Sequence, residues 1–431
     1  MAETVNLVDT SLRDGQMSLW ATNMTTAMML PVAETLDHAG FDAIEVVGSS
    51  FFKKCVRELR EDPWERIRLL RSRMRTPLRA IKTRHIAAFQ TTPSAVNALW
   101  LERLAANGVR QVRISDPSNT VANLQEQVRA AREVGLDPIV NLIFSISPKH
   151  TDAYYAERAA AFGGVDAMRL CLKDPGGLLT PERVGPLTEA LRRSAGDRPL
   201  EIHGHCNTGL GPLCALEAVR HGIRIVNTAI PPLSDSSSLP SVFRFVANVR
   251  TLGYEVEVDE RRVREVADHF RAVAERESFP VGAPAEYDLF HYSHQVPGGM
   301  ISNFRSQLGK LGMGDRVDEV LEETIRVRAD LGYPIMVTPY SQFVGGQAAL
   351  NVIAGERYRE VTDEVIAYAS GLWGEEEAAG VDPDVRDRIL ARPRAAELTR
   401  PRQVASLDEL RRDLDAGAGT DDDELLLRFL T

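Results

Sequence analysis

Between residues 5 and 253 the apolar positions switch repeatedly between two periods. Short runs rich in Val, Ile and Leu, bounded by turn residues, alternate with stretches whose apolar residues recur every three or four positions, the marks of strands and amphipathic helices. Strands are expected at "VNLVDT" from Val5, "AIEVVG" from Ala43, "PLRAIK" from Pro77, "VRQVRISD" from Val109, "PIVNLIFSI" from Pro138, "AMRLCLKD" from Ala167, "LEIHGHC" from Leu200 and "IRIVNTAI" from Ile223. Each is followed by a stretch of helical length. Eight β-then-α units in roughly 250 residues are the number and size of a TIM (β/α)8 barrel, whereas a doubly wound sheet needs fewer strands and a glycine-rich phosphate turn. After "GYEVEVD" the pattern becomes helical, as in "ERRVREVADHFRAVAERE" and "DEVLEETIRVRADLGY", and no further regular strands are expected. The expected organisation is a barrel over residues 1–300, a helical domain over 301–380 and a polar, partly mobile tail over 381–431.

Composition narrows the function classes. The 431 residues are 44% hydrophobic and 26% charged, a chain able to bury a large core. The formal charge of −10 has the wrong sign for a phosphate-binding surface, and no basic patch is interleaved with aromatics, so nucleic acid is not an expected partner. The apolar runs fall far short of a membrane span, and no basic segment followed by an apolar one opens the sequence. The four cysteines, Cys55, Cys171, Cys206 and Cys214, have no C-x-x-C spacing. A cytoplasmic protein with free thiols is expected.

In a barrel of this kind catalytic groups gather at the C-terminal ends of the strands. In "LEIHGHCN" the strand period of two puts Glu201, His203 and His205 on one face, so both imidazoles can turn inward to one metal ion. Two histidines satisfied by hydrogen bonds would look the same in sequence. "DTSLRDGQ" supplies Asp14 just after the first strand, where a lone aspartate also suits a turn. Lys173 shares its strand face with Arg169 and Cys171 and points into the barrel. It can belong to a buried ion pair, because Glu45, Glu201, Arg113 and Arg169 also occupy inward positions, or it can snorkel to the surface. A third reading is chemical. Burial lowers a lysine's pKa, and the neutral amine can add carbon dioxide to become a carbamate, an anionic oxygen ligand. A carbamate, one carboxylate and two imidazoles would suit zinc, manganese or cobalt.

Taken together, "DTSLRDG", "LCLKDPGGLLTP", "IHGHCNTGLG", "VPGGMISNFRSQL" and "GYPIMVTPYSQFVGGQAALNVI" resemble the biotin-dependent carboxyltransferase subunits. These are the carboxyltransferase domain of pyruvate carboxylase, the α subunit of oxaloacetate decarboxylase and the keto-acid subunit of transcarboxylase. The similarity runs from about Val5 to about Gly374. Hydroxymethylglutaryl-CoA lyases and isopropylmalate synthases share the "RDG" and H-x-H elements but lack the "KD" and "PGGM" segments.

The resemblance implies a barrel followed by a helical funnel, with a divalent metal held by Asp14, His203, His205 and a carboxylated Lys173. It implies that Ser302 passes a proton between the acceptor's α-carbon and biotin, a position where a serine could equally cap a helix. It brings Arg13 and Arg79 to the keto acid, although a strand-end arginine paired with an aspartate fits Arg79 as well. Where the family has a glutamine against the keto acid this chain has Met17, and a later arginine is Asn23, which points to a changed acceptor. No "MKM" segment is present to carry biotin, so the resemblance implies a biotinyl carrier protein and a biotin carboxylase in trans, within a homodimer or larger assembly. Two other functions fit the same residues. One is a biotin-independent decarboxylase or an aldol or Claisen-type lyase acting on an acyl-CoA; the other is a noncatalytic assembly subunit of a carboxylase complex.

Overall fold

In the computed structural model, which describes residues 3–87, 92–297, 300, 301, 304, 308, 309, 312–399, 406–417 and 419–431, eight parallel strands close into one barrel in chain order. They are β1 (Asn6–Asp9), β2 (Ala43–Gly48), β3 (Leu78–Thr83), β4 (Gln111–Ser115), β5 (Asp137–Ile143), β6 (Arg169–Asp174), β7 (Leu200–Gly204) and β8 (Ile225–Thr228). Each overlaps a run expected from the apolar pattern, with β3 running one residue past it to Thr83 and β5 starting one residue before it at Asp137. β8 returns to β1 with Leu7 opposite Val226, which removes the sheet edge. The outer ring is α1 (Ala33–Asp37), α2 (Pro63–Arg73), α3 (Ser94–Ala106), α4 (Val121–Glu133), α5 (Asp152–Phe162), α6 (Pro181–Ala195), α7 (Gly211–Arg220) and α8 (Val242–Thr251).

Strand alternation explains the two layers. Ile44, Leu78, Val112, Val140, Leu170, Ile202 and Val226 pack outward against Leu36, Ile67, Trp100, Leu124 and Leu187 of the helices in one apolar cluster. The intervening residues face the lumen. Glu45 of β2 pairs with Arg113 of β4, and Arg79 of β3 pairs with Glu201 of β7. Neither pair joins neighbouring strands, so the side chains meet only across the barrel interior.

Beyond the barrel, α9 (Glu260–Glu277) joins the same core through Val263, Val266 and Phe270. A second apolar cluster, from Val296 to Ala395, is built on α10 (Val317–Asp330), α11 (Tyr340–Ala354) and α12 (Asp363–Ala369). This helical region sits over the ends of the strands. Ile335 and Val337 pack on Ile143 at the end of β5, and Arg328 donates to Ser145 Oγ at 2.9 Å and to the Ile146 carbonyl at 3.1 Å. The segment expected as a polar tail ends in α13 (Asp422–Leu430), whose Leu425, Leu426 and Leu430 enter the barrel's own apolar cluster. Trp64 Nε1 donates to the Asp423 carbonyl at 3.2 Å, and Arg103 Nε donates to the Asp423 carboxylate at 2.8 Å. α13 is thereby tied to α2 and α3.

Candidate active site

β1 delivers Asp14 through a single widened helical turn, Ser11–Gly15, in which the Gly15 amide donates back to the Thr10 carbonyl at 3.0 Å. Gly15 has no room for a side chain, because a Cβ there would lie 2.9 Å from the Leu233 carbonyl oxygen. The close approach tucks the turn over the end of the barrel and buries Asp14. β7 carries His203, and His205 follows directly after its last residue, Gly204, so both rings reach Asp14 as their spacing predicts. Asp14 Oδ2 lies 3.0 Å from His203 Nε2 and 3.6 Å from His205 Nε2, with Arg13 Nη2 2.7 Å away. These are the three groups among the described residues that come close enough together to share a metal ion.

The proton arrangement fits a cation. His205 Nδ1 is 2.7 Å from the Ser237 carbonyl, which can only accept, so Nδ1 carries a proton and Nε2 is the nitrogen turned toward Asp14. His203 Nε2 is fully buried and, among the described residues, without a hydrogen-bond partner. Burial, and then the Arg113 guanidinium, push the His203 pKa down to about 3, so the ring is neutral. Burial alone would raise the Asp14 carboxyl, but Arg13 and the two imidazoles hold it well below the usual carboxylate range. An ionised carboxylate facing an orphaned ring nitrogen in a dry site is a donor set that a divalent ion completes.

Lys173, on β6, stands opposite His203 in the strand register and is buried. Among the described residues its one hydrogen bond is a long one of 3.4 Å to Ser115 Oγ, which in turn accepts from Asn141 Nδ2 at 2.6 Å. The possibility of a buried ion pair is resolved by the other lumen charges. Arg13, Arg79, Arg113 and Arg169 are taken up by Asp14, Asp42, Glu45 and Glu201, four cations with four anions. No carboxylate of the described residues lies within ion-pair distance of Lys173. Burial, followed by repulsion from Arg113 and Arg13, pushes its pKa down to about 7, so a large share of the amine is neutral at physiological pH.

The loop after Lys173 is fixed by its own residues. Asp174 accepts from the Leu178 and Leu179 amides at 2.9 and 2.7 Å, and Gly177 turns at φ +65° where a Cβ would meet the Asn207 nitrogen and His205 oxygen, both at 2.9 Å. This is why "KDPGGLL" needs its second glycine.

Other expected residues fall elsewhere. Arg13 is gripped by Glu45, its Nε donating at 2.5 Å, while also touching Asp14. Arg79 is on the second residue of β3, deep in the lumen, with Nη2 at 3.2 Å and Nη1 at 2.5 Å from the two oxygens of Glu201 and Nε donating to Gln111 at 3.0 Å. Arg79 is thus paired, with a glutamate rather than the aspartate expected. Met17 follows the buried Gln16 and leaves its side chain 38% exposed. Ser302 lies outside the described residues. Sequence reasoning did not single out Asn227, Ser237, Ser115 or Asn141, which hold the two imidazoles and border Lys173. Alternation would have placed Asn227, Ser115 and Asn141 inward, but single polar residues without a spacing motif carry no signal of their own.

Two family models match the chain, HMGL-like over residues 4–269 and a conserved carboxylase domain over residues 292–430. The chain is 37% identical over 391 residues to a pyruvate carboxylase subunit from Methanocaldococcus jannaschii, covering 90% of this chain and 68% of that protein. It is 32% identical to the 2-oxoglutarate carboxylase large subunit of Hydrogenobacter thermophilus, covering 85% of this chain and 57% of the relative. With the methylmalonyl-CoA carboxyltransferase 5S subunit of Propionibacterium freudenreichii it shares 31%, covering 86% and 74%. The chain thus spans from little over half to three quarters of these relatives. Among solved structures, the carboxyl transferase domain of Rhizobium etli pyruvate carboxylase with oxamate and biotin superposes with a TM-score of 0.89 at 25% identity, over 100% of this chain and 76% of that one. No helix among the described residues is long and apolar enough to cross a membrane. An HMGL-like barrel joined to a conserved carboxylase domain, with relatives of this kind along nearly its whole length, makes the chain an enzyme of the biotin-dependent carboxyltransferase family.

Proposed function

We propose that this chain moves a carboxyl group between biotin, borne by a separate carrier, and a small 2-keto acid, by way of the acceptor's enolate. The observation that carries the reading is the convergence of Asp14, His203 and His205, with free ring nitrogens, beside an amine that no carboxylate among the described residues claims. Asp14, His203 and His205 would hold a divalent zinc, manganese or cobalt ion, and Lys173 would complete the set as its carbamate. The neutral amine adds carbon dioxide at its nitrogen, forming the N–C bond and releasing one proton. A divalent ion bound there would polarise the acceptor's keto oxygen and offset the charge of its enolate.

The chain's own residues supply the rest. Arg13, fixed by Glu45 at the edge of the site, presents positive charge to the acceptor. Arg79 acts from below, through Glu201. The helical region over the strand ends excludes water while a carboxyl group is in transit. Ser302 relays the proton between the acceptor's carbon and biotin. Pyruvate and 2-oxoglutarate, named for two relatives, define the class of acceptor to be tested, and Met17 occupies the position at which the acceptor is distinguished.

The test is oxaloacetate and 2-keto acid turnover with metal-replete protein, with and without biotin or a biotinylated carrier. Carboxyl transfer or decarboxylation that depends on biotin is the expected result. Metal-dependent cleavage of an acyl-CoA without biotin would replace this reading with a lyase, and absence of all turnover with a bound carrier would replace it with an assembly role.

A further inference from the structure

We infer that Asn227 is a positioning residue that sets which nitrogen of His203 faces the metal site. The inference rests on the ligand set proposed above. Asn227 is the third residue of β8, 1% exposed, and β8 runs beside β7 with Ile225 opposite Glu201. Two residues further along, on the same face, Asn227 comes level with His203. Its amide nitrogen donates to Glu201 Oε1 at 2.8 Å. An ionised carboxylate accepts only, and Glu201 is held ionised between Arg79 and Arg169. The amide therefore cannot rotate without setting its oxygen against a carboxylate oxygen.

With the nitrogen committed to Glu201, Asn227 Oδ1 faces His203 Nδ1 at 3.0 Å. That oxygen also accepts only. Asp14 Oδ2, 3.0 Å from Nε2, also only accepts, so with a cation between them the ring's one proton belongs on Nδ1, where Asn227 Oδ1 takes it. Nε2 is then left with a lone pair directed at Asp14. A relay of polarity runs from Arg79 through Glu201 and Asn227 to His203, giving a deeply buried arginine a role at the metal site without contact with the acceptor. His205 reaches the same tautomer through the Ser237 main-chain carbonyl, which no side-chain substitution alters.

The experiment reads the ring and the metal separately. Zinc-loaded protein labelled with 15N-histidine gives the protonation of each ring nitrogen, and competition with a chelator gives the zinc affinity of wild type, Asn227→Asp and Asn227→Leu. In wild type, His203 should carry its proton on Nδ1. Asn227→Leu should show mixed tautomers and bind zinc about 10- to 100-fold more weakly, the usual effect of losing a partner of a metal-bound histidine. Asn227→Asp keeps the acceptor but sets a carboxylate beside Glu201, so it should lower the melting temperature while retaining the Nδ1 proton and most of the zinc affinity. A merely structural asparagine would give the reverse order, with affinity following stability. A wild-type His203 protonated on Nε2, or an Asn227→Leu protein with undiminished zinc affinity, overturns the inference. If His203→Ala binds zinc as tightly as wild type, the ligand set itself falls, and the ring spectrum still decides the hydrogen bond.

Discussion

Replacing Arg79 by methionine isolates the buried pair on which the lumen rests. Both partners are fully buried, and Glu201 receives two hydrogen bonds from the guanidinium besides one from Asn227. Removing the cation leaves Glu201 with only Arg169, 3.6 Å from one oxygen, for compensation among the described residues. Breaking a buried pair from one side costs roughly 3–5 kcal/mol, because the remaining charge stays out of water. The loss should therefore be visible as a fall of several degrees in melting temperature. The double variant Arg79→Met, Glu201→Met removes both charges. It should recover most of the loss, short of about 1–2 kcal/mol, since Asn227 and Gln111 each lose one hydrogen-bond partner. The pH dependence adds a sign. Burial would raise the Glu201 carboxyl, but Arg79 and Arg169 hold it below its ordinary value, so its contribution is full above the carboxylate range and is lost as pH falls through it. Without Arg79 burial prevails, Glu201 takes up a proton on folding, and the variant's deficit should shrink as the pH is lowered. Scanning calorimetry of wild type, Arg79→Met, Glu201→Met and the double variant between pH 5 and about 8, the usual range of maximal stability, measures both effects. A single variant within about 1 kcal/mol of wild type, or a double variant as unstable as the two singles combined, would refute the reasoning.

Lys173→Arg should abolish metal binding, since arginine retains the charge, forms no carbamate and adds an unpaired cation beside Arg13 and Arg113; stoichiometric metal by elemental analysis of the purified variant would remove Lys173 from the ligand set. Ser302→Ala should fold, keep its metal and lose roughly a hundredfold or more in turnover, the scale of general acid–base catalysis, and near-normal turnover would return Ser302 to a helix-capping role. Met17→Gln should improve kcat/KM for pyruvate or oxaloacetate by about 10- to 100-fold, the worth of one restored hydrogen bond to a charged group. If wild type already uses those acids efficiently and the substitution adds nothing, the thioether is a neutral replacement.

Much of the barrel was legible because a parallel strand buried on both faces imposes a period of two, and this chain keeps Glu45, Arg79, Arg113 and Glu201 on one phase and most of its aliphatic residues on the other. The same alternation put Glu201 with the two histidines and Arg169 with Lys173. What local pattern could not supply was partnership across the closed barrel. Arg79 and Glu201 are 122 positions apart, on strands separated by three others, and their meeting depends on barrel closure rather than on either segment. The end of the chain illustrates the converse. "DDDELLLRFL" reads as acidic and polar, yet in α13 three of its leucines turn to one side and bury against the barrel core, while Asp423 answers Arg103 and Arg68. A short amphipathic helix announces its apolar face only when the surface that receives it is known.

Asn227 joins these two cases. Nothing in "IRIVNTAI" marks the asparagine as anything but a polar residue in a strand, and its identity becomes meaningful only through its neighbours on β7. An amide can donate at one end and accept at the other, which suits a position between a carboxylate that only accepts and a ring whose other nitrogen faces a metal. Leucine would fill the space and do neither; aspartate would accept twice. The barrel thus uses buried polarity to orient as well as to neutralise. On this inference the Arg79–Glu201 pair deep in the lumen acts through Asn227 on the ring at its mouth, and so on which nitrogen of His203 a metal would meet.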